Sequence, residues 1–270
     1  MASIAGLHVE AGLPPSGSPL ARAIDRWIYV YMAVSFVLVT LTGFVPDSIR
    51  LVADAKSGAI PPIPLVMHFH AVLMGSFLLL VLAQTTLAAA GRLGPHRQFG
   101  RVALVLVPAL VLAGFILVPT IYRSVWYPAH SASAGAAALQ PLVRRLDNIM
   151  LLQFRIGILF PLFIFLGLRA RSRNGAFHKR MMILATATAL PAAIDRITWL
   201  PTTLPVTPLS TDLYVMLLLS PMFLWDVVRS HSVNRAYAVW LGSYVLVSAF
   251  LYTAWNQPWW HATAPHLMGV

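Results

Sequence analysis

The chain has 270 residues, of which 59% are hydrophobic and only 10% are charged. Soluble domains carry about 25% charged residues, so this composition excludes an ordinary water-soluble fold and predicts a protein built for lipid. The formal net charge of +11 could indicate a nucleic-acid ligand, but the distribution of the basic residues along the chain indicates a membrane topology instead. The chain contains no cysteine, which excludes disulfides, thiolate metal sites and cysteine nucleophiles.

Seven apolar segments are long enough to cross a bilayer, for which a helix needs about 20 mostly apolar residues. The sequence therefore predicts an all-α integral membrane bundle of about seven transmembrane helices. Two charged residues, Asp195 and Arg196, interrupt the fifth segment. The predicted spans are Trp27 to Val45, Leu65 to Ala90, Val102 to Tyr122, Ile149 to Leu168, Met181 to Leu200, Leu209 to Val228 and Ala236 to Trp255.

Small residues recur on the fifth span at every fourth position, at Ala185, Ala189 and Ala193. In lipid such a stripe lets a neighbouring helix approach closely. We therefore expect the fifth span to lie inside the bundle.

Basic residues gather in alternate connections between the spans. The positive-inside rule then predicts a cytoplasmic N-terminus and an extracytoplasmic C-terminus for a protein of the plasma membrane. The predicted organisation is a flexible cytoplasmic tail over 1–22, a transmembrane domain over 23–258 and an extracytoplasmic tail over 259–270. Lipid is the expected partner, with anionic headgroups at the cytoplasmic face and no nucleic acid. The basic residues on that face are Arg22, Arg26, Arg92, Arg97, Arg101, Arg169, Arg171, Arg173, Lys179, Arg180, Arg229 and Arg235.

Ionisable side chains inside spans are costly and tend to face the bundle interior or water. Arg155, Asp195 and Arg196 are predicted at similar depths in the outer leaflet, together with the imidazole of His70. A buried ion pair of Asp195 with Arg155 or Arg196 is the structural alternative to a binding role. We predict a ligand-binding pocket in the outer leaflet, and its candidate residues are His70, Arg155, Asp195, Arg196, Asn148 and Gln84.

Four histidines are candidates for a metal or a haem: His68, His70, His96 and His178. A haem is commonly held by two axial side chains on facing helices. His68 and His70 have no histidine partner in the later spans, whereas His96 and His178 each stand at the start of a span on the cytoplasmic side. Their basic surroundings are equally expected of segments that bind lipid headgroups.

One combination of motifs resembles a group of uncharacterised bacterial multi-span membrane proteins. It consists of His68-x-His70-Ala71, Gln84, Gly91-Arg92 and His96-Arg97-x-x-Gly100-Arg101, followed by His178-Lys-Arg-Met-Met182 and Arg196. That group implies no established activity. There is also a looser resemblance to cytochrome b561-type proteins, which implies a helical core whose histidines hold b-type haem, with His96 and His178 as ligands.

These observations favour a redox protein that works with a b-type haem or a quinone. Two other classes stay open, a transporter or a lipid- or anion-binding protein, and a non-catalytic subunit of a larger membrane complex. The sequence does not decide whether the chain is an enzyme, and no catalytic residue is assigned.

Overall fold

A computed structural model of the protein describes residues 18–270, in which all regular structure is helical. The predicted all-α class is therefore confirmed. Of the predicted N-terminal tail, residues 1–17 lie outside the described range, and residues 19–22 already belong to the first helix. The helices are α1 (Pro19–Lys56), α2 (Leu65–Ala89), α3 (Leu93–Gly100), α4 (Ala103–Ala129), α5 (Ala136–Ala170), α6 (Gly175–Ala187), α7 (Pro191–Ile194), α8 (Leu209–Ser230), α9 (Arg235–Ala254) and α10 (Pro258–Leu267).

Six helical segments are long and apolar enough to cross a membrane, namely α1, α2, α3 continued by α4, α5, α8 and α9. The chain is therefore a multi-pass membrane protein. Several of these helices are longer than a bilayer requires. At a rise of 1.5 Å per residue, the 38 residues of α1 extend about 57 Å, so its ends reach beyond the hydrocarbon core.

The fifth predicted span is divided into α6 and α7, which differs from the single helix that we expected over Met181 to Leu200. The cause is Pro191, which has no N–H to donate and whose ring would clash with the carbonyl group four residues earlier, that of Ala187. The α6 helix ends at that residue. A tight turn over residues 188–190 follows, and Pro191 starts α7.

The prediction that this segment lies inside the bundle is confirmed, because Ala185 and Ala193 are almost fully buried and Ala189 nearly so. The two halves have different neighbours. The α6 helix packs mainly against α5 and α9, whereas α7 packs against α1 and α8. The contact between α1 and α7 is so close that a Cβ atom at Gly43 would overlap the Ala193 carbonyl oxygen.

The last helix, α10, covers the end of the bundle at which α4 finishes and α5 begins. Trp260 and Ala264 are buried there. The Trp260 indole donates to the Asp147 carbonyl oxygen at 2.7 Å, and the Arg123 guanidinium donates to the Met268 carbonyl oxygen at 2.7 Å. The predicted C-terminal tail over 259–270 is therefore a docked helix.

We expect the Gly43→Ala substitution to lower the free energy of unfolding by about 1–3 kcal/mol, because the added methyl group overpacks the contact between α1 and α7. Thermal unfolding in detergent, followed by circular dichroism, measures this loss. The matched control is Gly242→Ala in α9, where nothing lies within 4 Å of the new Cβ atom and stability should be unchanged or up to about 1 kcal/mol higher. Equal behaviour of the two variants would contradict the close crossing.

Candidate functional site

Arg155 is fully buried, and its charge is neutralised by Asp212 of α8. The two side chains form a bidentate pair, with N···O distances of 2.9 and 2.6 Å. The same guanidinium also donates to the Ser248 hydroxyl at 2.8 Å. Arg155 therefore pairs with Asp212, and Asp195 pairs with neither Arg155 nor Arg196, which corrects the expected ion pair of Asp195 with one of these two arginines.

Two tyrosines complete this network from α9. The Tyr244 hydroxyl donates to Asp212 at 2.8 Å, and the Tyr252 hydroxyl donates to its other carboxylate oxygen at 3.0 Å. The Arg155 guanidinium also lies over the Tyr244 ring, 4.4 Å from the centroid. Both carboxylate oxygens are thus occupied, so the network joins α5, α8 and α9 without offering a free charge to a ligand.

A second network of the same kind joins α6, α8 and α9 nearer the other end. Arg180 makes a bidentate pair with Asp226 at 2.7 and 2.8 Å, and the Tyr237 hydroxyl donates to the same carboxylate at 2.5 Å. The remaining terminal nitrogen of Arg180 donates to the Ala176 carbonyl oxygen at 2.9 Å. The charges of this pair, too, are matched within the protein.

A groove of about 210 Å³ lies between α5 and α7. It opens because α7 packs against α1 and α8 rather than continuing along α5. Its walls are mostly apolar, and its polar lining consists of Arg145, Gln153, Asp195 and Arg196. This is the place at which two of the predicted pocket residues meet.

The charges around this groove are paired. Arg145 approaches Asp195 at 3.4 Å, and Arg196 donates to Asp47 of α1 at 3.1 Å. Arg196 also donates to the Ala192 carbonyl oxygen at 2.6 Å and lies over the Phe44 ring at 4.5 Å. The groove therefore carries little net charge.

The other predicted pocket residues lie elsewhere. The side-chain amide nitrogen of Asn148 donates to the side-chain oxygen of Asn256 at 2.6 Å. His70 of α2 lies against α4 near Gly114, and its Nδ1 atom is buried without a hydrogen bond. Gln84 lies near His96 at the far end of α2. Asp195 and Arg196 line the groove, whereas His70, Gln84, Asn148 and Arg155 do not, so the six predicted residues occupy several separate places.

His96 and His178 have the same local geometry. The Nδ1 atom of His96 lies 3.1 Å from the Gln84 carbonyl oxygen, and that of His178 lies 2.8 Å from the Gly167 carbonyl oxygen. Each carbonyl group belongs to the helix before the turn, 12 residues earlier for His96 and 11 for His178. Since a carbonyl oxygen only accepts, Nδ1 carries a proton in both rings, and in the neutral form of such a ring Nε2 has a free lone pair.

His178 precedes the fifth predicted span, and its pKa is lowered from the ordinary value by burial. The nearby His96 and Arg171 lower this pKa further, against the opposing effect of the hydrogen bond to Gly167. The ring is therefore neutral at pH 7, and it is close enough to His96 for the two to interact electrostatically. A neutral imidazole with a free Nε2 is the form that binds a metal.

The remaining candidate histidine, His68, is exposed on α2. Within residues 18–270, no cluster of three or more His, Asp or Glu side chains could hold a metal ion. A metal held wholly by protein ligands therefore has no ready site in this range. A two-ligand centre such as a haem requires only a pair.

The chain has no match among protein-family models, and no curated protein or solved structure is significantly similar to it.

Three functional or structural residues were missed by sequence reasoning. Asp212 stands only three residues inside its predicted span, and its depth could have marked it as a partner for Arg155. Tyr237 and Tyr244 fall on one helical stripe of α9, a pattern that looks like ordinary core.

We expect Arg155→Met to lower the free energy of unfolding by about 3–5 kcal/mol, because it leaves the Asp212 carboxylate buried without its counter-charge. The double variant Arg155→Met, Asp212→Asn should recover part of this loss, since both charges are gone. Chemical unfolding in mixed micelles measures both changes.

The control is Arg50→Met, which removes an ion pair with Asp47 at the surface, where the arginine side chain is 71% exposed. The free energy of unfolding of this variant should change by no more than about 1 kcal/mol. A loss at Arg155 no larger than the loss at Arg50 would contradict the role of the buried network.

Proposed function

We propose that this protein is a redox protein of the bacterial inner membrane that holds one b-type haem between His96 and His178. The proposal places the N-terminus in the cytoplasm and counts seven crossings, the fifth formed by α6 and α7 together. Arginine-rich connections at one end and few basic residues at the other support this orientation.

The observation that carries the proposal is the matched geometry of the two imidazoles. Ligating histidines usually donate their second ring N–H to a carbonyl or carboxylate oxygen, which fixes the tautomer and the orientation of the ring. His96 and His178 both have this support from main-chain carbonyl groups. Such fixed tautomers are expected of a ligand pair and are not needed for contact with lipid headgroups.

The surroundings of the two histidines fit the rest of a haem. Its propionate groups are anions, and the connections beside the two rings supply the guanidinium groups that bind carboxylates. These are Arg92, Arg97, Arg101, Arg169, Arg171 and Arg173. A haem bound there supplies one-electron chemistry, whose potential the protein sets through the axial ligands and the burial of the site.

The competing function, anion binding or transport, has weaker support because the buried cations are already paired. Arg155 is held by Asp212 and Ser248, with only its buried Nε atom left without a hydrogen bond, and Arg180 is held by Asp226. Arg196 is held by Asp47. An anionic substrate would have to displace a carboxylate that is covalently part of the protein.

The test is an absorption spectrum of the purified protein after expression with added haem, first oxidised and then reduced with dithionite. We expect a Soret band and the sharp α band of a low-spin haem with two imidazole ligands. His96→Ala and His178→Ala should each reduce the bound haem at least tenfold, because one axial ligand is lost.

His68→Ala is the control, because the His68 side chain is exposed and lies far from His96 and His178 in the sequence. The haem content of this variant should equal that of the unaltered protein. Circular dichroism separates loss of haem from loss of fold. A folded protein without a Soret band, or one whose haem content is the same in all three variants, would overturn the proposal.

A further inference from the structure

The groove between α5 and α7 has one polar group that the protein does not use. Gln153 lines the groove, and no hydrogen bond links its amide to another of the described residues 18–270. An amide carries two donors and an acceptor, and leaving such groups unsatisfied in an apolar setting is unfavourable. The neighbouring Asn148, on the same helix, has by contrast both its donor and its acceptor occupied by Asn256.

The walls around this amide are suited to an apolar ring. Leu146, Ile149, Leu152 and Ile156 follow the helical repeat of α5 and line one side of the groove. Pro191 and the small side chain of Ala192 line the other side. An apolar site with a few polar groups that fix the orientation is the usual form of a small-molecule pocket.

The volume and the charge of the groove limit the kind of ligand that it can bind. Pockets for drug-sized ligands occupy about 300–1,000 Å³, so the groove, at about 210 Å³, holds a single ring or headgroup rather than a whole lipid. Its charges cancel, because Arg145 faces Asp195 and Arg196 faces Asp47. The fitting ligand is therefore uncharged, apolar on its faces and able to accept a hydrogen bond.

The groove also continues onto the outer surface of the helix. Leu142 lines it and is 40% exposed, and Leu146, Ile149 and Ile156 of the same wall are half-buried. In a membrane-spanning helix such a surface faces lipid. A ligand with a long apolar tail can thus leave its tail in the bilayer while its ring occupies the groove.

We propose that this groove binds the headgroup of a membrane quinone, with the Gln153 amide donating to a quinone carbonyl oxygen. The redox role of the bound quinone rests on the proposed function. The binding itself depends on residues of α5 and α7 alone.

The experiment is photoaffinity labelling of the purified, detergent-solubilised protein with a short-chain azido-quinone, followed by mass spectrometry of the peptides. We expect the label on peptides that contain residues 142–156 or 191–196, and at least tenfold less label in the presence of excess decylubiquinone. Gln153→Leu, which keeps the volume but removes the amide, should reduce labelling about tenfold.

Two further variants keep the test decisive. Ala192→Phe fills the groove while leaving Gln153 in place, and it should abolish labelling in a protein that still unfolds at its usual temperature. Gln98→Leu, at an exposed glutamine near the arginine-rich turn, is the matched control and should label normally. Label scattered over the lipid-facing helices, or unchanged in both groove variants, would overturn the quinone site.

The two proposals fail separately. A normal haem spectrum in a protein whose groove is not labelled overturns the quinone site and leaves the haem proposal standing. Specific labelling of the groove in a protein without a Soret band overturns the haem proposal and supports the quinone site. Protection from labelling by phosphatidylglycerol in place of decylubiquinone would also overturn the quinone assignment, since it identifies an anionic headgroup as the ligand.

Discussion

The buried pair of Arg155 and Asp212 is the interaction on which the arrangement of the helices depends. Moving an unpaired charge into hydrocarbon is strongly unfavourable, so a guanidinium with no exposed surface requires its carboxylate in one fixed place. Because Arg155 is on α5 and Asp212 is on α8, the pair sets the position of one helix relative to the other. Tyr244 and Tyr252 add α9 to the same contact.

Arg180 and Asp226 repeat this arrangement at a second level of the bundle, with Tyr237 in the place of Tyr244. Two such contacts fix both the position and the tilt of α8 and α9. With α8 and α9 held in this way, α6 and α7 need not form one continuous helix. They can follow different neighbours, and that divergence opens the groove.

The sequence predicted the parts of this fold that depend on local composition. Long apolar runs are sufficient to recognise six of the spans, and the alanine repeat at residues 185, 189 and 193 is sufficient to place the fifth segment inside. The interruption of that segment was also accessible, since Pro191 forbids the helical bond to Ala187. Depth alone, however, misled the prediction of one outer pocket. Residues at one depth can have different partners, as Arg155 and Asp195 do here.

The sequence does not show which polar side chains are hydrogen-bonded within the protein and which are not. Asn148 and Gln153 are amides on the same helix, five residues apart, and nothing in the sequence distinguishes them. Only the docking of the turn after α9 satisfies Asn148, through Asn256, while Gln153 in the groove has no hydrogen-bond partner among residues 18–270. The same distinction applies to the histidines: His96 and His178 have carbonyl groups that fix their tautomers, whereas the buried Nδ1 atom of His70 has none.

In a protein whose buried cations are matched by carboxylates, the groups with unused bonding capacity are where a ligand finds a favourable interaction. By this criterion the free Nε2 atoms and the free Gln153 amide are places at which chemistry is expected, and the buried Nδ1 atom of His70 and the amide nitrogen of Gln84 have unused capacity as well.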